Sequence, residues 1–188
     1  MEKCEVLIIG GSAGSLDVLL KVLPNLASVL NFPVIIVLHR KTGKENLLTD
    51  LLNAKTQLTV KEIEEKERLR AGMIYIAPPS YHLLIEKSKT FSLDASEKIN
   101  FSRPSIDVTF ESAAEVYGNR LVCLLLSGAN SDGTNGLKKV KENGGLTAVQ
   151  APDTAISRFM PDSALENLEV DRILKPSEMA NFINDLSK

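Results

Sequence analysis

The chain has 188 residues, 44% hydrophobic and 24% charged, which is ordinary for a globular protein and long enough to bury a proper core. A net charge of -2 argues against a protein that grips nucleic acid or an anionic membrane by bulk charge. No stretch approaches the roughly 20 apolar residues needed to span a bilayer. The start, Met1-Glu2-Lys3-Cys4-Glu5, lacks the basic segment of a secretory signal. The expectation is a single domain over 1–188, cytoplasmic, without membrane insertion or a nucleic-acid partner. Cys4 and Cys123 fall in apolar runs and read as small buried hydrophobes in a reducing compartment. With only His39 and His82 beside them, and no ligand spacing, a structural zinc site is not expected.

In chain order, Val6 to Ile9 is an apolar run that breaks into Gly10-Gly11-Ser12-Ala13-Gly14-Ser15. That pattern is a strand, a tight turn and a helix start. The helical spacing of Leu16, Leu19, Leu20, Leu23 and Leu26 predicts a helix from Gly14 to Leu30, with Pro24 kinking or ending it. Pro33 to Leu38 is continuously apolar, as for a strand covered on both faces, and stops at His39. A helix over Lys44 to Asn53 and a strand over Leu58 to Ile63 follow. Met73 to Ala77, His82 to Glu86 and Thr90 to Leu93 are short and turn-bounded, and read as an antiparallel hairpin region. The acidic and basic run from Glu62 to Arg70 reads as solvated surface.

Pro104-Ser105-Ile106-Asp107 opens a helix to Tyr117, with Gly118 placed to stop it. Arg120 to Leu126 is another apolar strand and runs into the loop Ser127-Gly128-Ala129-Asn130-Ser131-Asp132-Gly133. A helix at 137–143, a strand at 146–150, a short helix near 161–167, a strand at 172–174 and a final helix complete the chain. The fold class is α/β: a doubly wound, mostly parallel sheet with helices on both faces and an antiparallel hairpin insertion.

In such a sheet, ligands sit beyond the carboxyl ends of the strands. Three of those ends carry Ser12, His39 and Asp132. A hydroxyl, an imidazole and a carboxylate on one edge are the parts of an acyl-transfer triad, in which the imidazole takes the serine proton and the carboxylate orients it. Ala13 N–H, directly after the serine, is the natural first oxyanion donor. Gly10, Gly11 and Gly14 allow a sharp turn and close substrate approach. Alternatives stay open: Ser12 as a helix cap, Asp132 as a turn residue, and His82 as a competitor for the base, although its hairpin position reads as near-site packing. The G-x-S-x-G match does not indicate an α/β-hydrolase, because only eleven residues precede the serine and the order would be Ser, His, Asp. Neither a dinucleotide nor a phosphate-loop fingerprint fits.

Ile9 to Ser15 resembles the nucleophile turn of the CheB-type chemoreceptor methylesterase domain. His39 falls at that family's histidine, and Ile76 to His82, Arg103 to Asp107, Ser127 to Gly133, Ala151-Pro152-Asp153 and Met160-Pro161 resemble further segments of it. The resemblance covers nearly the whole chain. It implies a serine esterase that hydrolyses γ-glutamyl methyl esters on chemoreceptors, with glutamine deamidation as a second activity. It also implies Ser12, His39 and Asp132 as catalytic residues, Ala13 and Ala129 as the oxyanion hole, and Gly11, Gly14, His82 and Gly128 near the site, with no metal or cofactor. The chain has Ala129 where the family commonly has methionine, and Ser15 where its turn commonly has glycine. It starts directly at the esterase strand, so control by phosphorylation would come from a separate receiver protein. The expected partner is a methylated chemoreceptor or a similar signalling protein. The alternative is a regulatory or binding module of the same fold with weak or no activity.

Overall fold

The computed structural model describes residues 3–40 and 47–188. Seven strands form one parallel sheet: β1 (Val6–Gly11), β2 (Val34–Leu38), β3 (Thr59–Glu62), β4 (Met73–Ile76), β7 (Leu121–Leu125), β8 (Leu146–Gln150) and β9 (Arg172–Leu174). Their spatial order is β3-β4-β2-β1-β7-β8-β9. A separate antiparallel pair joins β5 (His82–Ile85) to β6 (Phe91–Asp94). The helices are α1 (Ser15–Val22), α2 (Leu47–Asn53), α3 (Ile106–Tyr117), α4 (Thr134–Glu142), α5 (Phe159–Asn167) and α6 (Pro176–Asp185).

Strand alternation divides the core between the two sheet faces. Leu7, Ile9, Val34, Ile36, Val122 and Leu124 meet α1, α2 and α6 through Leu19, Leu52 and Ile183. Ile8, Ile35, Val37, Cys123 and Leu125 meet α3, α4 and α5 through Ile106, Phe110, Leu137 and Met160. Every β1, β2 and β7 residue is buried, which is why these strands read as unbroken apolar runs. Each fully buried aliphatic side chain contributes about 1.5–3 kcal/mol, so the central strands hold the frame on which the loops are mounted. Both cysteines are buried, and desolvation pushes the Cys4 thiol up to about 12 and raises that of Cys123 as well.

Three elements depart from the sequence expectation. Met73–Ile76 is not part of the antiparallel region. It is β4, a parallel strand in register with β2 (Ile36 opposite Ile76) and with β3 (Glu62 opposite Ile76). A four-residue apolar run has no period that distinguishes an inner parallel strand from a hairpin arm. The antiparallel insertion is β5–β6, joined by an antiparallel bridge between Arg68 and Thr90 and packed on the sheet through a Tyr75–Phe91 edge-to-face contact at 4.9 Å. Hydroxyls of α3 satisfy the β5 edge, with Thr109 Oγ1 donating to Leu83 O at 2.8 Å and Ile85 N–H donating to Ser112 Oγ at 3.1 Å. The helix expected to reach Leu30 ends at Val22, and a 3-10 turn over Leu23–Asn25 follows with Pro24 inside it. Helix α4 starts at Thr134, three residues ahead of expectation. The expected start of α2 at Lys44 lies outside the described residues.

Candidate active site

The chain leaves β1 toward β2 on one side and resumes at β7 on the other, so the β1–β7 boundary is the switch point of the sheet. Ser12 follows β1 there, the Asp132 loop follows β7, and His39 follows β2. Gly11 is in register with Leu38, and His39 N–H donates to Gly11 O at 3.1 Å, which carries the pairing to the doorstep of Ser12.

The turn around Ser12 is fixed by hydroxyls from three segments. Ser12 N–H donates to Ser127 O at 2.9 Å and lies 3.0 Å from Ser15 Oγ, while Ser15 Oγ–H donates to Ser127 O at 2.8 Å. Ser127 Oγ reaches Ala13 O at 2.6 Å and accepts from Ser157 N–H at 2.9 Å. Ser15, Ser127 and Ser157 were not legible as site residues, since each acts on distant backbone and leaves no local pattern. Gly14 sits at φ 86° and is the N-cap of α1, so the cap reading of Ser12 is corrected: its side chain caps no helix. Gly11 is needed for space, because a Cβ there would lie 2.0 Å from Ser15 Oγ. A Cβ on Gly128 would lie 2.4 Å from Met160 Cε and 3.1 Å from Ser12 Cβ, so that glycine lets the β7 loop press against the serine. Ala13 and Ala129 are both exposed, and their N–H groups have no protein acceptor among the described residues.

Asp132 is fully buried and sits on the N-terminus of α3. Its Oδ1 accepts from Ser105 Oγ at 2.9 Å and Asp107 N–H at 3.0 Å, and its Oδ2 from Ile106 N–H at 2.7 Å and His39 Nε2 at 2.7 Å. Desolvation pushes this carboxyl up, but the His39 hydrogen bond and the two backbone N–H groups outweigh it, and the group lies below the ordinary carboxylate value. A carboxylate that only accepts requires the proton of His39 on Nε2. Nδ1 then carries the lone pair, and its hydrogen bond goes to Ser102 Oγ at 3.3 Å rather than to Ser12. Among the described residues, therefore, the imidazole meets only a weak partner apart from Asp132.

Asp107 returns the arrangement. Its backbone N–H binds Asp132, while its own Oδ1 accepts from Gly133 N–H at 2.8 Å and Gly136 N–H at 2.7 Å at the start of α4. Two carboxylates thus cap each other's helices and lock residues 132–133 from both sides, which also explains the early start of α4. Burial raises the Asp107 carboxyl to about 6, helped by the neighbouring Asp132 charge. His82 is buried away from the serine. Its Nδ1 accepts from Ser105 N–H at 3.1 Å and its Nε2–H donates to Glu97 O at 2.8 Å, so it supports the α3 cap as a packing residue. Arg40, beside His39, pairs with Glu62 at 2.6 Å, so part of the charged run read as solvated surface is tied to the site's edge. Among the described residues no group of three or more His, Cys, Asp or Glu is placed to hold a metal ion. No helix there is long and apolar enough to cross a membrane.

A doubly wound parallel sheet with a serine, a histidine and a buried aspartate in the segments that follow three neighbouring strands defines an α/β domain that carries the residue types of acyl transfer on one sheet edge. The family model described as CheB methylesterase matches residues 7–183, and the chain belongs to that family. A Leptospira interrogans relative, provisionally named a protein-glutamate methylesterase/protein-glutamine glutaminase, is 48% identical over 95% of this chain and 92% of its own length. A Thermotoga maritima protein-glutamate methylesterase/protein-glutamine glutaminase is 35% identical over 90% of this chain, which spans 50% of that protein. The crystal structure of the Thermotoga maritima CheB methylesterase catalytic domain superposes with a TM-score of 0.93 at 34% identity, covering 97% of this chain and 98% of that one.

Proposed function

We propose that the described residues form one catalytic unit that hydrolyses γ-glutamyl methyl esters on protein side chains, and deamidates glutamine side chains, with Ser12 as nucleophile. The observation that carries this reading is the His39–Asp132 contact at 2.7 Å. It leaves a histidine one residue beyond β2 with its Nε2–H anchored on a buried acceptor and its Nδ1 lone pair held by the long Ser102 contact alone among the described residues. Ser12 Oγ attacks the ester carbonyl carbon as its proton passes to His39 Nδ1 in place of the weak Ser102 contact. The oxyanion develops against the unengaged N–H groups of Ala13 and Ala129. Collapse expels the methoxy group, which takes the proton from His39 and leaves as methanol, and the acyl group stays on Ser12. Water then attacks the acyl-enzyme as it loses a proton to His39, and Ser12 Oγ leaves with that proton, freeing the glutamate carboxyl and restoring both residues. A glutamine side chain follows the same course with ammonia leaving.

The names of the relatives support protein side chains as substrates. The proposed partners are methylated chemoreceptors or similar signalling proteins in the cytoplasm, with a separate receiver protein as regulator. The test is methanol release from a methylated receptor fragment. Wild type should release it and folded Ser12→Ala should not. Turnover by Ser12→Ala near the wild-type rate would overturn the mechanism, and no turnover by either protein would favour the binding module.

A further inference from the structure

Beside the His39 ring lies a cavity of about 570 Å³, open to solvent, whose wall includes Arg40, Lys98, Phe101 and Arg103. Among the described residues no carboxylate lines it, although the chain as a whole carries a net charge of -2. The three cations are held differently. Arg40 is paired with Glu62, while Arg103 is fixed by two neutral carbonyls, Ala95 O at 2.7 Å and Ser96 O at 2.5 Å. Among the described residues neither Lys98 nor Arg103 has a carboxylate partner. Arg40 and Arg103 each keep a buried Nε–H with no hydrogen-bond partner among the described residues. At the rim, Phe101 is 97% exposed at φ 62°, an apolar ring held out in solvent next to the basic wall.

We propose that this cavity is the docking site for an acidic segment of the substrate protein, whose carboxylates meet Arg40, Lys98 and Arg103 while an apolar residue covers Phe101. The proposal rests on the methylesterase reading, since the cavity shares the His39 ring with the proposed acyl-transfer site. Charge complementarity selects the occupant. Guanidinium forks and an ammonium around one mouth recognise carboxylates, and the low net charge and the apolar ring disfavour a nucleic-acid backbone.

The test uses two synthetic peptides that differ only beside one γ-glutamyl methyl ester, with Glu neighbours in one and Gln neighbours in the other. The kcat/KM ratio for methanol release should favour the acidic peptide by about tenfold at low salt, as two or three exposed ion pairs would give, and approach one at high salt. In Lys98→Glu that ratio should fall below one, a comparison within a single variant that any general loss of activity leaves unchanged. Fluorescence anisotropy with Ser12→Ala measures peptide binding without turnover. Equal rates for both wild-type peptides overturn the docking site and leave the esterase standing. Acidic-selective binding without methanol release from wild type overturns the esterase and leaves the docking site. An oligonucleotide that displaces the acidic peptide more readily than unlabelled peptide does would overturn the assignment of the occupant.

Discussion

Replacing Asp107 by asparagine should remove a pH dependence from the stability of the protein while keeping the clasp between α3 and α4. The amide oxygen can still accept from Gly133 and Gly136, because a single atom, Oδ1, takes both bonds in the native side chain. The charge is what changes. A carboxyl that ordinarily titrates at 3.8 titrates here at about 6, because the folded state desolvates it and sets it near Asp132. Between those two values the folded protein holds a proton that the unfolded chain has released, so stability falls as pH rises. Below the lower value the contribution is intact, and above the upper one it is lost. At about 1.4 kcal/mol per pH unit the whole loss is about 3 kcal/mol, of which about 2 kcal/mol falls between pH 4.5 and 7.5. Urea unfolding of both proteins across that range isolates the effect, because other titrating groups cancel in the difference. The stability of Asp107→Asn minus that of wild type should rise by about 2 kcal/mol from pH 4.5 to 7.5. A difference that stays constant across that range would refute the reasoning.

Asp132→Asn should lower kcat by about 10³-fold or more, since each native oxygen accepts two hydrogen bonds and an NH₂ in either place opposes donors; a loss under tenfold in steady-state assays would contradict the orienting role. His39→Gln should fall comparably, whereas His82→Gln should stay within about tenfold of wild type, because among the described residues His82 bonds only to Ser105 N–H and Glu97 O. If His82→Gln is the inactive variant, the base is assigned to the wrong histidine. Gly128→Ala should cost about 1–3 kcal/mol by thermal unfolding, because the new methyl group overlaps the buried Met160 side chain, and shortening Met160 should recover part of it non-additively.

The large apolar strands and the three chemistry-bearing strand ends were legible because both follow from periodicity and from where a parallel sheet opens. Met73–Ile76 was not, since its partners β2 and β3 are set by tertiary pairing that a four-residue run does not encode. The helix after Ser12 read too long because leucine spacing continues past Pro24, where the backbone cannot continue the helix. At the site, Ser12, His39 and Asp132 stood out as residue types, while the groups that hold them did not. Ser15, Ser127, Ser157 and Asp107 act through hydrogen bonds to backbone that is mostly remote in sequence, and a lone serine or aspartate carries no mark of that work. Asp107 came nearest, since an acidic residue in the first turn of a helix reads as a dipole partner of its own helix. The structure gives its side chain to the next helix instead.

The proposed reaction depends most directly on the nucleophilicity of Ser12. A fluorophosphonate probe followed by intact-mass and peptide mapping measures it without any assumption about the natural substrate. The folded protein should take up one phosphonyl group, located on Ser12, and Ser12→Ala and His39→Gln should take up none over the same time. An adduct on another residue, or none on folded wild type, would contradict the proposed acyl-transfer role.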